Sequence, residues 1–205
     1  MLLRRLRSDR RGTAVIEFAI IAPVMMIIIM GLSDLMYQIY AQSILNGAVQ
    51  KAGRDSGIQG GDQQATTIDA RVISQVANIM SNPTQACPTT STGGATWCST
   101  RKNYDTFKAI APEPFTDLNG DGIRQPGECY SDINGNHQWD ADPGTTGQGG
   151  ADDVTVYTMT ITYPRIFPVA GLLGWPSTQT ISATTTLKNQ PYANQTTTTV
   201  ATICT

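Results

Sequence analysis

Gly12-Thr13-Ala14-Val15-Ile16-Glu17-Phe18, with the apolar run that continues to Leu32, decides how the rest of this chain is read. From Thr13 to Leu32 there are twenty residues and one charge, Glu17. At about 1.5 Å rise per residue, such a helix covers a bilayer core of about 30 Å. Ahead of it Arg4, Arg5, Arg7, Arg10 and Arg11 stand against Asp9, a net +4 in the first twelve residues. A basic cluster of this kind holds its end of a membrane helix in the cytoplasm and sends the remainder across. Glu17 is the anomaly. An unpaired carboxylate in lipid costs several kcal/mol, so it points to function rather than to anchoring alone.

Counted from Thr13, Glu17 is residue five. A basic leader ending in Gly, then an apolar helix with Glu in fifth place, resembles the processing site of type IV prepilins. The resemblance makes Gly12 the residue before the cut, Thr13 the new N-terminus and Glu17 the assembly glutamate, which meets a neighbouring subunit's terminal amine. The stretch Gly12–Gly57, with Glu17-Phe18-Ala19, Ala22-Pro23, Gly31-Leu32-Ser33-Asp34 and Tyr40-Ala41-Gln42, resembles the TadE family of minor pseudopilins. Those belong to tight-adherence (Flp pilus) secretion systems. What this implies is a structural subunit in pilus assembly or cell adhesion, not an enzyme. Its partners would be a prepilin peptidase, other pilins or pseudopilins and the bacterial inner membrane. Its head would lie in the periplasm, or outside the cell once in the fibre. A cleaved secretory signal fits less well, since it would carry a shorter apolar core followed by a small-x-small site.

The expected class is α+β: a long N-terminal helix, transmembrane then amphipathic, packed on a small antiparallel-sheet head with a second helix and a calcium-loop insert. Residues 1–12 read as a cleaved leader, 13–32 as the membrane helix, 33–57 as its extension and 58–205 as the exported head, with an acidic insert over 116–150. In the extension Leu35, Ile39, Ile44, Leu45, Ala48 and Ala52 recur at helical spacing. Pro23 removes a backbone donor and can kink the helix. A second helix runs through Ile68, Val72, Val76, Ile79 and Met80, with Thr66 or Thr67 as N-cap and Asn82-Pro83 as its stop. Cys87 to Cys98 reads as loop throughout. Val154–Tyr163 and Thr178–Leu187 read as strands. Between them Ile166–Trp175 is greasier than a solvated loop should be, and either folds over the core or meets the membrane surface or a neighbouring subunit.

Cys87, Cys98, Cys129 and Cys204 all follow the membrane segment, and an even number in an exported domain points to disulfides. Of three pairings, Cys87–Cys98 as a local loop and Cys129–Cys204 as a long-range tie are favoured. No Cys-x-x-Cys spacing suggests zinc.

The insert carries the second motif. Asp117-x-Asn119-x-Asp121-Gly122-Ile123-x-Gln125-x-x-Glu128 fits the calcium loop D-x-[DN]-x-[DN]-G-x5-E at every specified position. Asp117, Asn119 and Asp121 would supply side-chain oxygens, Ile123 its carbonyl, Gln125 a water-bridged contact and Glu128 two closing oxygens. In loop sequence it resembles the calcium loops of dockerin and thrombospondin type 3 repeats. A poorer copy follows fifteen residues on, with Asp132, Asn134, Asn136 and Gln138 as ligands; His137 replaces the Gly and Pro143 stands where Glu belongs. Asp140 or Asp142 would substitute. Asp, Asn and Gly also cluster in ordinary turns. Against that reading, eight of the sixteen acidic residues fall within 117–153, with Arg124 the only Lys or Arg among them. Calcium is therefore the expected ion.

Without its leader the chain carries a net charge near −6, so no basic surface argues for nucleic acid. One histidine, no Gly-x-Ser-x-Gly elbow and no Walker loop leave no catalytic constellation and no small-molecule substrate site. The other class considered is a membrane-anchored, calcium-dependent adhesin module, and a distant third is an anchored hydrolase.

Overall fold

The computed structural model describes residues 13–58, 64–90, 93–172, 174–191 and 199–204. Helix α1 (Thr13–Ser56) runs unbroken through Pro23 for 44 residues. Its first half is exposed on every side from Ala14 to Ile21 and still mostly exposed to Leu32. An apolar surface of this length needs lipid or other apolar partners, and the helix is long and apolar enough to cross a membrane. Its second half is the spine of an α+β head. α2 (Ala65–Val76) packs beside it, and both cover one face of a sheet.

That sheet is ordered β1 (Thr84–Gln85), β2 (Thr96–Tyr104), β5 (Val154–Pro164), β6 (Thr178–Lys188), and the short β4 (Thr145–Thr146) also pairs with β2. β1 runs parallel to β2, and the other pairings are antiparallel. On β5 the core side presents Tyr157, Met159, Ile161 and Tyr163; β6 adds Ile181 and Ala183. The opposite side is a hydroxyl ladder, with Thr158 facing Thr184, Thr160 facing Ser182 and Thr162 facing Thr180. Period-two alternation thus puts one face on the helices and leaves the other wet.

Ala41, Leu45, Ala48, Val49 and Ala52 of α1 meet Ile68, Val72 and Val76 of α2 in this core. Near the end of α1, glycines let the sheet close in. A Cβ on Gly53 would stand 2.5 Å from Thr185 Cγ2, and one on Gly57 2.3 Å from Leu187 Cδ1. Asp69 pins α2 to the sheet. It accepts from Tyr157 Oη at 2.7 Å, from Ser99 Oγ at 2.6 Å and from Arg101 Nη2 at 2.7 Å. The Arg101 guanidinium lies 4.4 Å from the Tyr157 ring centre. Burial, and then the bond to Asp69, push the Tyr157 phenol far above its usual range.

Several expectations need correction. Leu35 and Ile39 do not face the core. With Met36 and Tyr40 they form an exposed apolar strip on the far side of α1. α2 begins at Ala65 with Gln64 at its N-cap, so Thr66 and Thr67 are inside the first turn, and its helical hydrogen bonding gives way to turns after Val76. The stretch Cys87–Cys98 is not loop throughout, because β2 starts at Thr96.

Both favoured disulfides are formed, Cys87–Cys98 and Cys129–Cys204. The second joins β3 (Cys129–Asp132) to β7 (Ala201–Cys204) in a two-stranded ribbon that carries the acidic insert. Gly12 and the basic leader lie outside the described residues, as does the polar tail over 192–198.

Candidate functional site

Three places carry chemistry: the start of α1, the insert and the tip between β5 and β6. Thr13 opens the described helix, and Glu17 lies one turn further on, exposed, with no ion-pair partner among the described residues. In lipid such a carboxylate needs a cation, and none is placed against it among the described residues.

In the insert the two acidic loops are conformational copies. Gly120 and Gly135, each fourth in its loop, have φ of 77° and 75°; Gly122 and His137, each sixth, have 73° and 63°. His137 thus takes the left-handed turn normally left to glycine. In the first loop Asp117 accepts from the N–H groups of Gly120 and Gly122 at 2.7 and 2.8 Å. In the second Asp132 accepts from Gly135 and His137 at 2.8 and 3.0 Å. Asn119 and Asn134 each take the N–H two residues on at 3.1 Å. Asp121 takes that of Ile123 at 2.8 Å, and Asn136 that of Gln138 at 2.7 Å. The Gln125 amide donates to Asp121. The N–H of Gly122 holds the Asp117 carboxyl below its usual range; desolvation opposes it, and the N–H of Gly120 adds a smaller lowering effect.

Glu128 closes the first loop from its twelfth position. Its two oxygens accept from Leu118 N and Gln125 N, both at 2.9 Å. The second loop has Pro143 in that position, yet the same two contacts are made there. Glu113, thirty residues upstream of Pro143, accepts from Ile133 N at 2.7 Å and Asp140 N at 3.0 Å. Leu118 and Ile133 are each second in their loop, and Gln125 and Asp140 are each ninth. A carboxylate from another part of the chain therefore occupies the closing role. Pro112 and Pro114 flank Glu113, the second disfavouring a helical conformation at it, and Trp139 Nε1 donates to its carbonyl at 2.9 Å.

Glu113 is 1 % exposed and Glu128 4 %. A carboxylate has about four acceptor sites, and each of these shows two hydrogen bonds. Neither has an ion-pair partner among the described residues. Buried charges are as a rule paired or bound to metal. In the present geometry no three His, Cys, Asp or Glu side chains among the described residues are gathered closely enough to hold an ion.

Of the substitutes expected for Glu in the second loop, Asp140 is within it, taking the Asn134 and Asn136 amides at 2.8 and 2.6 Å. Asp142 is not. It is drawn to β2, where Lys102 donates to one oxygen and Tyr104 Oη to the other at 2.7 Å. The Lys102 bond, ahead of the others, lowers its pKa. Glu113 precedes both loops, so the motif alone does not point to it; the absence of Glu at the twelfth position of the second loop, where Pro143 stands, is the signal in the sequence for a carboxylate from elsewhere.

At the tip, Arg165 pairs with Asp34 of α1, and both side chains are only 12 % exposed. The short α3 (Val169–Leu172) lies against α1 with Val169 and Ala170 buried.

The family model described as TadE-like protein matches residues 12–54. The match covers Gly12, Thr13, Glu17 and nearly all of α1, and leaves residues 55–205 outside it. No curated protein and no solved structure matches this chain.

Proposed function

We propose that this protein is a minor pseudopilin of a tight-adherence (Flp-type) pilus, processed between Gly12 and Thr13 and built into or priming the fibre from the bacterial inner membrane. The observation that carries this reading is Glu17, a lone carboxylate five residues from the expected cut, on a helix that TadE-like proteins share. A single anchor has no use for that residue, whereas a packed set of processed subunits supplies it with a terminal amine. The head, with its helix spine and sheet, would face the periplasm before assembly and the exterior after it. The test is Glu17→Ala in a host with the rest of the system. The variant is expected in the membrane fraction at normal level, and missing from material co-purified with partner pilins. Unchanged co-purification would overturn the role given to Glu17.

A second reading concerns the head and rests on the two buried carboxylates in matching positions. We propose that the insert binds calcium in both loops. Asp117, Asn119, Asp121, the Ile123 carbonyl, Gln125 and Glu128 hold the first ion. Asp132, Asn134, Asn136, the Gln138 carbonyl, Asp140 and Glu113 hold the second. Flexible oxygen-rich loops suit calcium better than magnesium, which demands a compact octahedral shell, and extracellular loops of this kind bind at about 10⁻⁴–10⁻³ M. Such ions would stiffen a fibre component, or an adhesive surface, in an external medium rich in calcium. Titration calorimetry at millimolar calcium tests it, with heat expected for calcium and little for magnesium; no heat would leave the loops as turns.

A further inference from the structure

The connection between β5 and β6 has no part in either reading. From Val154 to Leu187 the only charged residue is Arg165. Besides its pair with Asp34, Arg165 donates through Nε to the Pro176 carbonyl at 3.1 Å, and its guanidinium lies 5.9 Å from the Trp175 ring centre. Val169 and Ala170 are buried, but Ile166, Leu172 and Trp175 are 56 %, 73 % and 50 % exposed. These three are larger and more apolar than a hairpin tip in water should show.

The ion pair fixes the height of this tip along α1. Asp34 is two residues past Leu32, the last residue of the apolar run, which is about 3 Å along a helix axis. If the run crosses a bilayer, Asp34 and Arg165 stand where the hydrocarbon core gives way to headgroups. The tip is held there by the burial of Val169 and Ala170 and is not free to swing away. Its composition suits that level, because Trp concentrates at membrane interfaces and Arg keeps its charged end in the polar zone.

We infer that the β5–β6 tip is a membrane foot: Ile166, Leu172 and Trp175 enter the headgroup–acyl boundary of the leaflet on the head side, beside the point where α1 emerges. The foot orients the head against the bilayer before assembly, and must leave the lipid when the subunit is drawn into a fibre. This rests on α1 crossing the membrane.

The test uses the full chain reconstituted in vesicles of phosphatidylcholine and phosphatidylglycerol whose acyl chains are brominated near the headgroup. Bromine quenches tryptophan emission by contact. Of the other tryptophans, Trp97 packs against the core and Trp139 is engaged with Glu113. Quenching is expected in the parent and is lost in Trp175→Phe. In Leu172→Glu, which keeps Trp175, quenching falls while the melting temperature holds. Equal quenching in parent and Trp175→Phe, with both retained through an alkaline wash, would overturn the foot and leave the anchor intact. Release of the parent by that wash would overturn the membrane reading itself, and the foot with it. A Trp175 that brominated lipid does not quench, and that aqueous acrylamide reaches only at low protein-to-lipid ratio, would assign the tip to a neighbouring copy instead.

Discussion

Glu113→Gln separates a calcium ligand from a mere backbone clasp. In the folded head, Glu113 takes two N–H groups on its two oxygens while 1 % exposed. Glutamine keeps the shape but offers one oxygen, and turns an NH2 toward the other N–H. One buried donor is left without an acceptor, at about 1–3 kcal/mol whatever the calcium level. The second effect depends on the ion. At about one hundred times the dissociation constant, each site adds roughly 2.7 kcal/mol to the folded state, so two loops add roughly 5.4 kcal/mol. Losing the closing ligand of one loop should remove about half of that. For a chain of this size, 2.7 kcal/mol corresponds to roughly 5–11 °C in melting temperature. The assay is differential scanning calorimetry of the solubilised full chain in chelator and in calcium, with magnesium as control. Glu128→Gln should remove the other half, and the double variant nearly all. If Glu113→Gln lowers the melting temperature equally with and without calcium, Glu113 is a clasp and the second site is wrong.

Three other outcomes follow from the packing. Asp69→Ala leaves Arg101 buried without its carboxylate, so a loss of about 3–5 kcal/mol is expected in chemical denaturation; Asp69→Ala together with Arg101→Met should recover part of it. Opening Cys129–Cys204, which closes a separation of 75 residues, should cost about 4.5 kcal/mol on the chain-entropy account, and should expose the insert to protease before the sheet. Burial first, and then the bond to Asp142, push the Tyr104 phenol up to about 12. Because this folded value exceeds the ordinary one of about 10, its contribution is whole below about pH 10 and lost as pH rises through about 12; Tyr163, also pushed up to about 12 by burial first, shares that range, so in Tyr104→Phe the late tyrosinate absorbance step should lose the amplitude of one phenol.

What could be read in the sequence depended on whether a residue's partner was near in the chain. α1 announces itself by composition, and the Gly12–Glu17 spacing by a local rule. β5 and β6 show alternation because one face is apolar and the other is threonine. β2 hides: its inward Ser99 and Arg101 serve Asp69 instead of the apolar core, so the pattern that marks a half-buried strand is broken. Leu35 and Ile39 have the right spacing for a helix face, but spacing alone does not say which of two apolar faces the head covers. β7 and Glu113 act through residues far away in sequence, across a disulfide and across a whole loop. The first calcium-loop pattern is complete within twelve residues and therefore fully legible; the second is legible only in part, because the carboxylate in its closing position, Glu113, comes from outside it.

The pilin reading stands most directly on the mature N-terminus. Intact mass spectrometry of the protein, recovered from a host that carries a prepilin peptidase, should find Thr13 as the first residue, with or without an added methyl group. Gly12 replaced by a bulky residue should leave the leader attached and membrane insertion unchanged. Recovery of the parent with Met1 intact, or cut beyond Leu32, would contradict the account.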